Sequence, residues 1–197
     1  MYIHTDSIQY KKKNTFFVIS RKIHKAISNA LFMGANILET VKVLLNAGAS
    51  LDARTFTGGT VLINFAANED SDPEVLRLLL EKLKSSCGAE KIASILNYKK
   101  RSTTLKWKGI DFVAKVLYRM GISKSVLIKF LANESGITPL NKSVVRGDVE
   151  IVKIFLENGT DPYVENDLGM NAFEICEKSG PFPSVTKALL EFERKVQ

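Results

Sequence analysis

Among the side chains that act as bases, nucleophiles or metal ligands, histidine and cysteine are the most frequent. This chain contains only two histidines and two cysteines. His4, His24, Cys87 and Cys176 stand far apart in the sequence, and no CxxC pair occurs. Nucleophilic catalysis needs a nucleophile, a base and an orienting group that are brought together. The sequence therefore predicts no catalytic residues, no metal site and no cofactor, and it indicates that the protein is not an enzyme.

Two glycine-containing stretches, Gly58-Gly59-Thr60 and Gly136-Ile137-Thr138, lack the features of a phosphate-binding loop. Neither has the strand-then-helix context or the GK[ST] ending that such a loop requires. The carboxylates Asp161, Glu165 and Asp167 show no EF-hand spacing, and acidic side chains in a loop normally face water. We interpret the glycines as turn residues and the carboxylates as solvated.

The basic residues are unevenly distributed along the chain, whose formal net charge is +7. Residues 98–131 contain nine basic residues and one acidic residue. Within them, Tyr98-Lys99-Lys100-Arg101 and Lys106-Trp107-Lys108 mix cations with aromatic rings. Such a cluster has three interpretations: a solvated loop whose lysines offset acidic neighbours in the next unit, a site for an acidic protein, or a site for nucleic acid or anionic lipid. Trp107 matches no helical pattern and is a candidate interface aromatic.

Size and composition favour a folded protein without a membrane span. The chain has 197 residues, of which 45% are apolar, and this is enough for a substantial core. No apolar run approaches the roughly 18 residues that a membrane-spanning helix needs. Two isolated cysteines fit a reducing compartment. We therefore expect a soluble, cytoplasmic protein without a classical export signal.

Glycines repeat with a fixed spacing in the last third of the chain. The interval from Gly136 to Gly169 equals the interval from Gly147 to Gly180. This period of about 33 residues is typical of stacked helical repeats. Within the first interval, Thr138-Pro139 has the residue types that start a helix, and a glycine such as Gly147 commonly ends one. Each unit is thus predicted to contain two short antiparallel helices.

The second helix of this unit, predicted at Val149–Glu157, carries a wide apolar stripe. Ile151, Val152 and Phe155 lie at helical spacing, while Glu150 and Lys153 face outwards. An isolated helix pair has no surface large enough to cover this stripe, so the pair needs neighbours on both sides. A stacked solenoid of repeated units satisfies this requirement.

The repeated segment resembles the ankyrin repeat. The matching residues, in register with the family pattern, are Gly136-Ile137-Thr138-Pro139-Leu140, Gly147, Glu150-Ile151-Val152 and Gly159-Thr160-Asp161-Pro162. Upstream, Val43–Asp52 is similar to the end of one unit and Gly58–Leu62 to the start of the next. The resemblance implies an all-α solenoid of about five helix-turn-helix units, with degenerate ends and an inserted helix at Ala89–Leu96. His24 then takes the place of a structural histidine of the family.

The predicted organisation is a tail or cap at residues 1–20 followed by the repeat domain at residues 21–197. The approximate units are 21–54, 55–96, 97–135, 136–168 and 169–197. The third unit is the most degenerate, with helices expected only at Asp111–Arg119 and Ser125–Leu131. Around Ala89–Ser125 a second interpretation stays open, namely an unrelated helical pair inserted in the stack. Ser184–Val196 is expected to form the final, solvated helix.

The resemblance implies a non-catalytic scaffold that binds another protein, with an acidic surface, through its hairpin fingers and through its concave face, which includes the first-helix surface. Candidate contact residues, assigned by position, are Arg54, Phe56, Lys99, Lys100, Arg101, Trp107, Tyr163 and Glu165. Two alternatives remain: a targeting module of a larger enzyme, or binding of nucleic acid or anionic lipid through residues 98–108. Lysine outnumbers arginine 21 to 7, and with the degenerate repeats this is similar to ankyrin effectors of intracellular bacteria or viral ankyrin proteins. Such a protein would be delivered into a host cell cytosol.

Overall fold

The computed structural model describes residues 37–52, 54–55, 57–68, 71–180 and 182–196. The predicted tail at residues 1–20, the first helix of the first unit around His24, and the candidate contact residue Phe56 lie outside these residues. The described helices are α1 (Ile37–Asn46), α2 (Val61–Ala67), α3 (Pro73–Ser86), α4 (Ala89–Leu96), α5 (Leu105–Arg119), α6 (Val126–Glu134), α7 (Pro139–Arg146), α8 (Val149–Glu157), α9 (Ala172–Ser179) and α10 (Pro183–Val196).

The helix ends of the unit at residues 136–168 follow from its capping residues. The Thr138 side chain accepts a hydrogen bond from the backbone N–H of Asn141 (3.1 Å), and Pro139 occupies the first turn. Gly147 ends α7 in the left-handed conformation (φ 74°). The side chain of Asp148 then caps α8 by accepting from the N–H of Ile151 (3.2 Å). The two predicted helices of this unit are confirmed.

The helices stack in two layers, which confirms the predicted all-α solenoid. The first helices of successive units, α2, α7 and α9, pack side by side, and the second helices α1, α3, α8 and α10 form the other layer. Fully buried apolar side chains fill the space between the layers, among them Leu62, Leu79, Leu140, Phe155 and Leu189. Burial of these side chains provides the main stabilisation of the stack.

The contacts place residues 97–135 differently from a unit of the stack. Helix α7 packs directly against α2, and α8 packs directly against α3. No helix pair from residues 97–135 therefore separates the second unit from the fourth. Helix α4, the inserted helix predicted at Ala89–Leu96, packs against α3 and buries Ile95 and Leu96. The alternative interpretation placed a helical pair in the stack, whereas the helical pair found here lies outside it.

The insertion lies at the tip of a finger, the hairpin that connects one unit to the next. In the first finger (47–60) Thr55 N–H donates to Gly59 O (2.9 Å), and in the last finger (158–171) Asn166 N–H donates to Met170 O (2.9 Å). The middle finger (97–138) repeats this bond between Lys100 N–H and Ile137 O (2.9 Å). Two residues of the chain separate Thr55 from Gly58 and likewise Asn166 from Gly169, and we call the connection between such paired residues the tip. In the middle finger, the whole segment 101–135 occupies that place.

Helices α5 and α6 form this insertion and pack against each other, and we call residues 105–134 the inserted hairpin. The prediction that its first helix begins at Asp111 is wrong. The Thr104 side chain accepts from the N–H of Trp107 (3.4 Å), so the helix starts at Leu105 and continues through Gly109. Trp107 consequently lies in a first helical turn and is half-buried.

Candidate interaction surface: the inserted hairpin and its basic cleft

A buried carboxylate holds the end of the inserted hairpin against the stack. Glu134, the last residue of α6, forms ion pairs with Lys100 of the middle finger (Nζ to Oε2, 2.8 Å) and with Lys142 of α7. All three side chains are at most 18% exposed. Burial alone would raise the pKa of Glu134, but the charges of Lys142 and Lys100 outweigh it and hold the pKa below its usual value.

A second carboxylate, Asp167 at the tip of the last finger, joins the hairpin to that finger. It forms ion pairs with Arg101 and with Lys115 of α5 (Nζ to Oδ2, 2.9 Å), and the hydroxyl of Ser135 donates to it (2.7 Å). Burial of Asp167 raises its pKa, but these three donors outweigh burial and lower the pKa to about 2. The Asp167 backbone carbonyl also accepts from Arg119 (2.8 Å). The expectation that Asp167 simply faces water is therefore wrong.

The hairpin also contacts the first helices of the last two units. The Lys178 ammonium of α9 donates to the Tyr118 hydroxyl (2.6 Å) and lies 5.1 Å from the centre of that ring. The Lys142 ammonium lies 5.7 Å from the ring centre of Phe130. Polar and cation–π contacts thus anchor the hairpin over part of the first-helix surface. That surface was expected to face a partner, and the hairpin now covers part of it.

The outer surface of the inserted hairpin is strongly apolar. Among the described residues, twelve large apolar side chains are exposed, and eight of them belong to the hairpin. The eight are Leu105, Phe112, Val113, Met120, Ile122, Val126, Leu127 and Phe130. Leu105 and Val126 are 87% and 81% exposed. A contiguous segment with so many exposed apolar side chains is typical of an interaction surface.

Helix α5 carries a cationic row next to an apolar row, in which Leu105 and Phe112 are exposed and Val116 is half-buried. With 3.6 residues per turn, side chains at i, i+7 and i+11 lie along one side of a helix. The apolar row consists of Leu105, Phe112 and Val116, and the cationic row of Lys108, Lys115 and Arg119. Each cation follows its apolar neighbour by three residues, so the two rows run side by side.

The cationic row faces a cleft between α5 and the finger tips, with a volume of about 880 Å³. Its lining residues are Arg54, Lys100, Arg101, Ser102, Thr103, Lys108, Asp111, Phe112, Lys115, Arg119, Ser135 and Asp167. Six of these side chains are basic and two are acidic, so the cleft has an excess of positive charge. We call it the basic cleft. Its geometry and charge suit an anionic or acidic ligand group.

Three of the predicted contact residues, Arg54, Lys100 and Arg101, line this one cleft. The guanidinium of Arg54 lies 4.3 Å from the ring centre of Tyr98 and is exposed to solvent. Lys100 and Arg101 instead form the internal ion pairs with Glu134 and Asp167. For Arg101 this agrees with the interpretation that basic residues here offset acids of the following unit. The positive charge of Arg101 is thus largely neutralised by a carboxylate of the same chain.

The remaining predicted contact residues lie elsewhere. Lys99 is half-buried on the middle finger, and Trp107 lies at the start of α5. Tyr163 and Glu165 are on the last finger, where Tyr163 is 52% exposed. The Tyr163 hydroxyl donates to Glu193 of α10 (2.7 Å), and its ring stacks on Phe173 at 5.5 Å. The hydrogen bond to Glu193 raises the pKa of Tyr163.

Sequence reasoning singled out Lys106 and Lys108 as part of a basic segment, but it missed Lys115, Arg119 and the apolar row beside them. Lys108, Lys115 and Arg119 recur at helical spacing in the sequence, and so do Leu105 and Phe112. A helix that buries its apolar row in a stack has the same period as one that exposes it. The spacing could have revealed the rows, but only the position of the hairpin outside the stack shows which of them is exposed.

Within the described residues, no group of three or more His, Cys, Asp or Glu side chains is arranged to hold a metal ion. Cys87 and Cys176 are free thiols, and Cys176 is buried. None of the described helices has both the length and the apolar composition of a membrane span.

Comparison with known proteins agrees with this architecture. Residues 135–167 match the family model of the ankyrin repeat. The fold is similar to that of a chain in the crystal structure of the yeast ribosomal protein Rps3 in complex with its chaperone Yar1, with a TM-score of 0.61 and 20% sequence identity. This similarity covers 87% of the present chain and 93% of the other. At this level of identity it is a likeness of fold. No curated protein sequence matches the chain.

Proposed function

We propose that this all-α solenoid, in which residues 135–167 match the ankyrin repeat, is a non-catalytic scaffold that binds another protein through its inserted hairpin and finger tips. The observation that carries the proposal is the concentration of exposed apolar side chains on the hairpin. Burial of such side chains against a partner removes them from water and supplies the favourable free energy of association.

The scaffold presents this surface in a fixed position. The stacked helix pairs form a stiff core, and the ion pairs of Glu134 and Asp167 tie the hairpin to the fingers. Binding to a surface that is already ordered loses little conformational entropy. Trp107 in the first turn of the hairpin and Arg54 in the basic cleft beside it are proposed to belong to the contact surface. Tyr163 and Glu165 are proposed to extend that surface to the last finger.

Lys100 and Arg101 have a supporting role in this proposal. The Lys100–Glu134 pair holds the hairpin against the middle finger, and the Arg101–Asp167 pair joins the middle finger to the last finger. Lys99, next to them in the chain, stays a proposed contact residue. A role as a targeting module of a larger enzyme, and an origin as an effector delivered into a host cell, rest on composition and resemblance alone and stay predictions.

Site-specific photo-crosslinking tests the proposal. A photoreactive phenylalanine analogue replaces Phe112 on the hairpin in one variant and Val43 on α1 in the other, because these side chains are 64% and 65% exposed. We expect position 112 to give a discrete protein adduct in cell lysate, and an excess of the unmodified protein to abolish it. The same adducts from both positions, or no adduct from position 112, would contradict the proposed role of the hairpin.

A further inference from the structure

The basic cleft and the apolar row beside it indicate the chemistry of the partner. Resting on the proposed scaffold function, we infer that the hairpin binds an acidic amphipathic helix of the partner protein, which lies along α5 with carboxylates in the basic cleft and apolar side chains on Leu105 and Phe112.

Three cations of the cleft form no ion pair with a carboxylate in the part of the chain that the structure describes. They are Arg54, Lys108 and Arg119. Arg119 donates only to a backbone carbonyl, and Arg54 lies over the Tyr98 ring. The other three cations are paired with Glu134 or Asp167. The cleft therefore retains positive charge that carboxylates of a partner can neutralise.

The two rows of α5 match an elongated ligand with two different sides. From Leu105 to Val116 the apolar row spans about 16 Å at a rise of about 1.5 Å per residue. The cationic row from Lys108 to Arg119 has the same length and runs beside it. A helix with an acidic row next to an apolar row meets both at once, which is the groove mode of helix recognition. Phe112 lines the cleft and belongs to the apolar row, so the two contact types meet at this residue.

The shape of the site favours a peptide over a lipid surface. The unpaired cations line a cleft between α5 and the tips of the fingers, and Arg101 and Asp167 line the same cleft. A flat bilayer cannot enter such a cleft, whereas the side chains of a helix can. The exposed apolar residues near the hairpin loop, Met120 and Ile122, lie outside the cleft.

Binding of designed peptides to the whole protein tests the inference. The probes are three synthetic helical peptides of equal length, each with about five helical turns, so that the helix is longer than either row of α5. One has adjacent glutamate and leucine rows, one has the same composition scrambled, and one has lysine in place of glutamate. Phosphatidylserine vesicles form a fourth probe. Trp107 is the only tryptophan of the chain and lies next to Lys108, so its fluorescence reports binding at the hairpin.

We expect the ordered acidic peptide to bind at least about tenfold more tightly than either control peptide. Lys108→Glu should weaken that binding about tenfold, because it reverses a charge in the cleft. Lys124→Glu is the matched control, since Lys124 is exposed on the same hairpin but does not line the cleft, and it should leave binding unchanged. Both variants should keep the melting temperature of the parent.

Equal binding of the three peptides, or equal effects of Lys108→Glu and Lys124→Glu, would overturn the inference. Vesicle binding without peptide binding would overturn it as well and would identify a lipid-binding surface. These failures are separate from failure of the scaffold proposal. A specific crosslinked protein at position 112 together with no preference for acidic peptides would retain the scaffold and refute only the acidic helix.

Discussion

The backbones of Lys100 and Gly136 are hydrogen-bonded to each other, with Gly136 N–H donating to Lys100 O at 3.1 Å, although the whole inserted hairpin lies between them in the chain. The same bond closes the two-residue tips of the other fingers, from Gly58 to Thr55 and from Gly169 to Asn166. The finger is therefore complete without the hairpin. It follows that the stack and the hairpin are separable parts of the molecule.

Removal of the hairpin should leave a folded stack. In the variant we propose, a single asparagine replaces residues 102–135, so that Arg101 and this asparagine form a two-residue tip. Shortening the connection reduces the entropy cost of closing the finger by about 2 kcal/mol, which offsets part of the lost contacts with Glu134 and Ser135. Circular dichroism and urea denaturation should show one cooperative transition. A variant without cooperative unfolding would mean that the stack depends on the hairpin.

Neighbouring fingers approach each other so closely that two glycines are required. A Cβ on Gly136 would lie 2.6 Å from the backbone nitrogen of Asp167, and one on Gly58 would lie 2.0 Å from the carbonyl oxygen of Arg101. Gly136→Ala should therefore destabilise the protein by about 2 kcal/mol or more, from left-handed strain and from displacement of the last finger. Urea denaturation measures the change.

Gly169→Ala is the control for this prediction. Gly169 has a similar φ of +78° but no atom within 4 Å of the added Cβ, so its loss should be limited to about 1 kcal/mol. Equal losses for the two variants would show that the close approach of the fingers contributes nothing to stability.

Asp167 should make the stability of the protein depend on pH in the acid range. Its pKa in the folded protein is about 2, below the unfolded value near 3.9, so the folded state binds its proton less readily. The stabilisation is complete above about pH 4 and is lost as the pH falls towards 2. Asp167→Asn should lower the free energy of unfolding by about 2 kcal/mol at pH 7, because Arg101 and Lys115 lose their acceptor.

The difference between the parent and Asp167→Asn should shrink as the pH falls through this window, in urea titrations at pH 7, 4 and 2.5. Ser71→Ala serves as a control with a neutral side chain that lies outside this ion-pair cluster. A difference that stays constant from pH 7 to pH 2.5 would refute the role of the ionised carboxylate.

Truncation of two phenylalanines of the chain to alanine should change the stability of the protein to very different extents. Phe155 of α8 is completely buried between the layers, whereas Phe112 of α5 is 64% exposed. Phe155→Ala should cost about 3–5 kcal/mol of stability because it leaves a cavity in the core. Phe112→Ala should change stability by about 0.5 kcal/mol at most and should affect partner binding instead. A large loss of stability for Phe112→Ala would show that this side chain supports the fold.

The stacked units were predictable because local signals and periodicity agree there. Thr138, Pro139, Gly147 and Asp148 specify the ends of α7 and α8, and the apolar positions of α8 require burial on both sides. The final helix was likewise expected at Ser184–Val196, and α10 begins one residue earlier. In these segments each local preference points to the same structure.

The position of the hairpin was not predictable because the inserted segment has the length of one repeat. The segment 101–135 at the tip of the middle finger exceeds the two-residue tips of the other fingers by the length of one repeat, such as the matched repeat at 135–167. An insertion of one repeat length preserves the register on both sides, so the spacing of the repeats cannot reveal it. The ion pair between Arg101 and Asp167 was equally invisible, since these residues are 66 positions apart.

The closed finger at Lys100 and Gly136 also bears on how such a protein can change over evolutionary time. Where the two ends of a segment meet, replacement of the segment leaves the packing of the remaining helices intact. Variation in the recognition element is then uncoupled from variation in the element that maintains solubility and folding. Exchange of the inserted hairpin can therefore give the protein new partners with little effect on the folding of the stack.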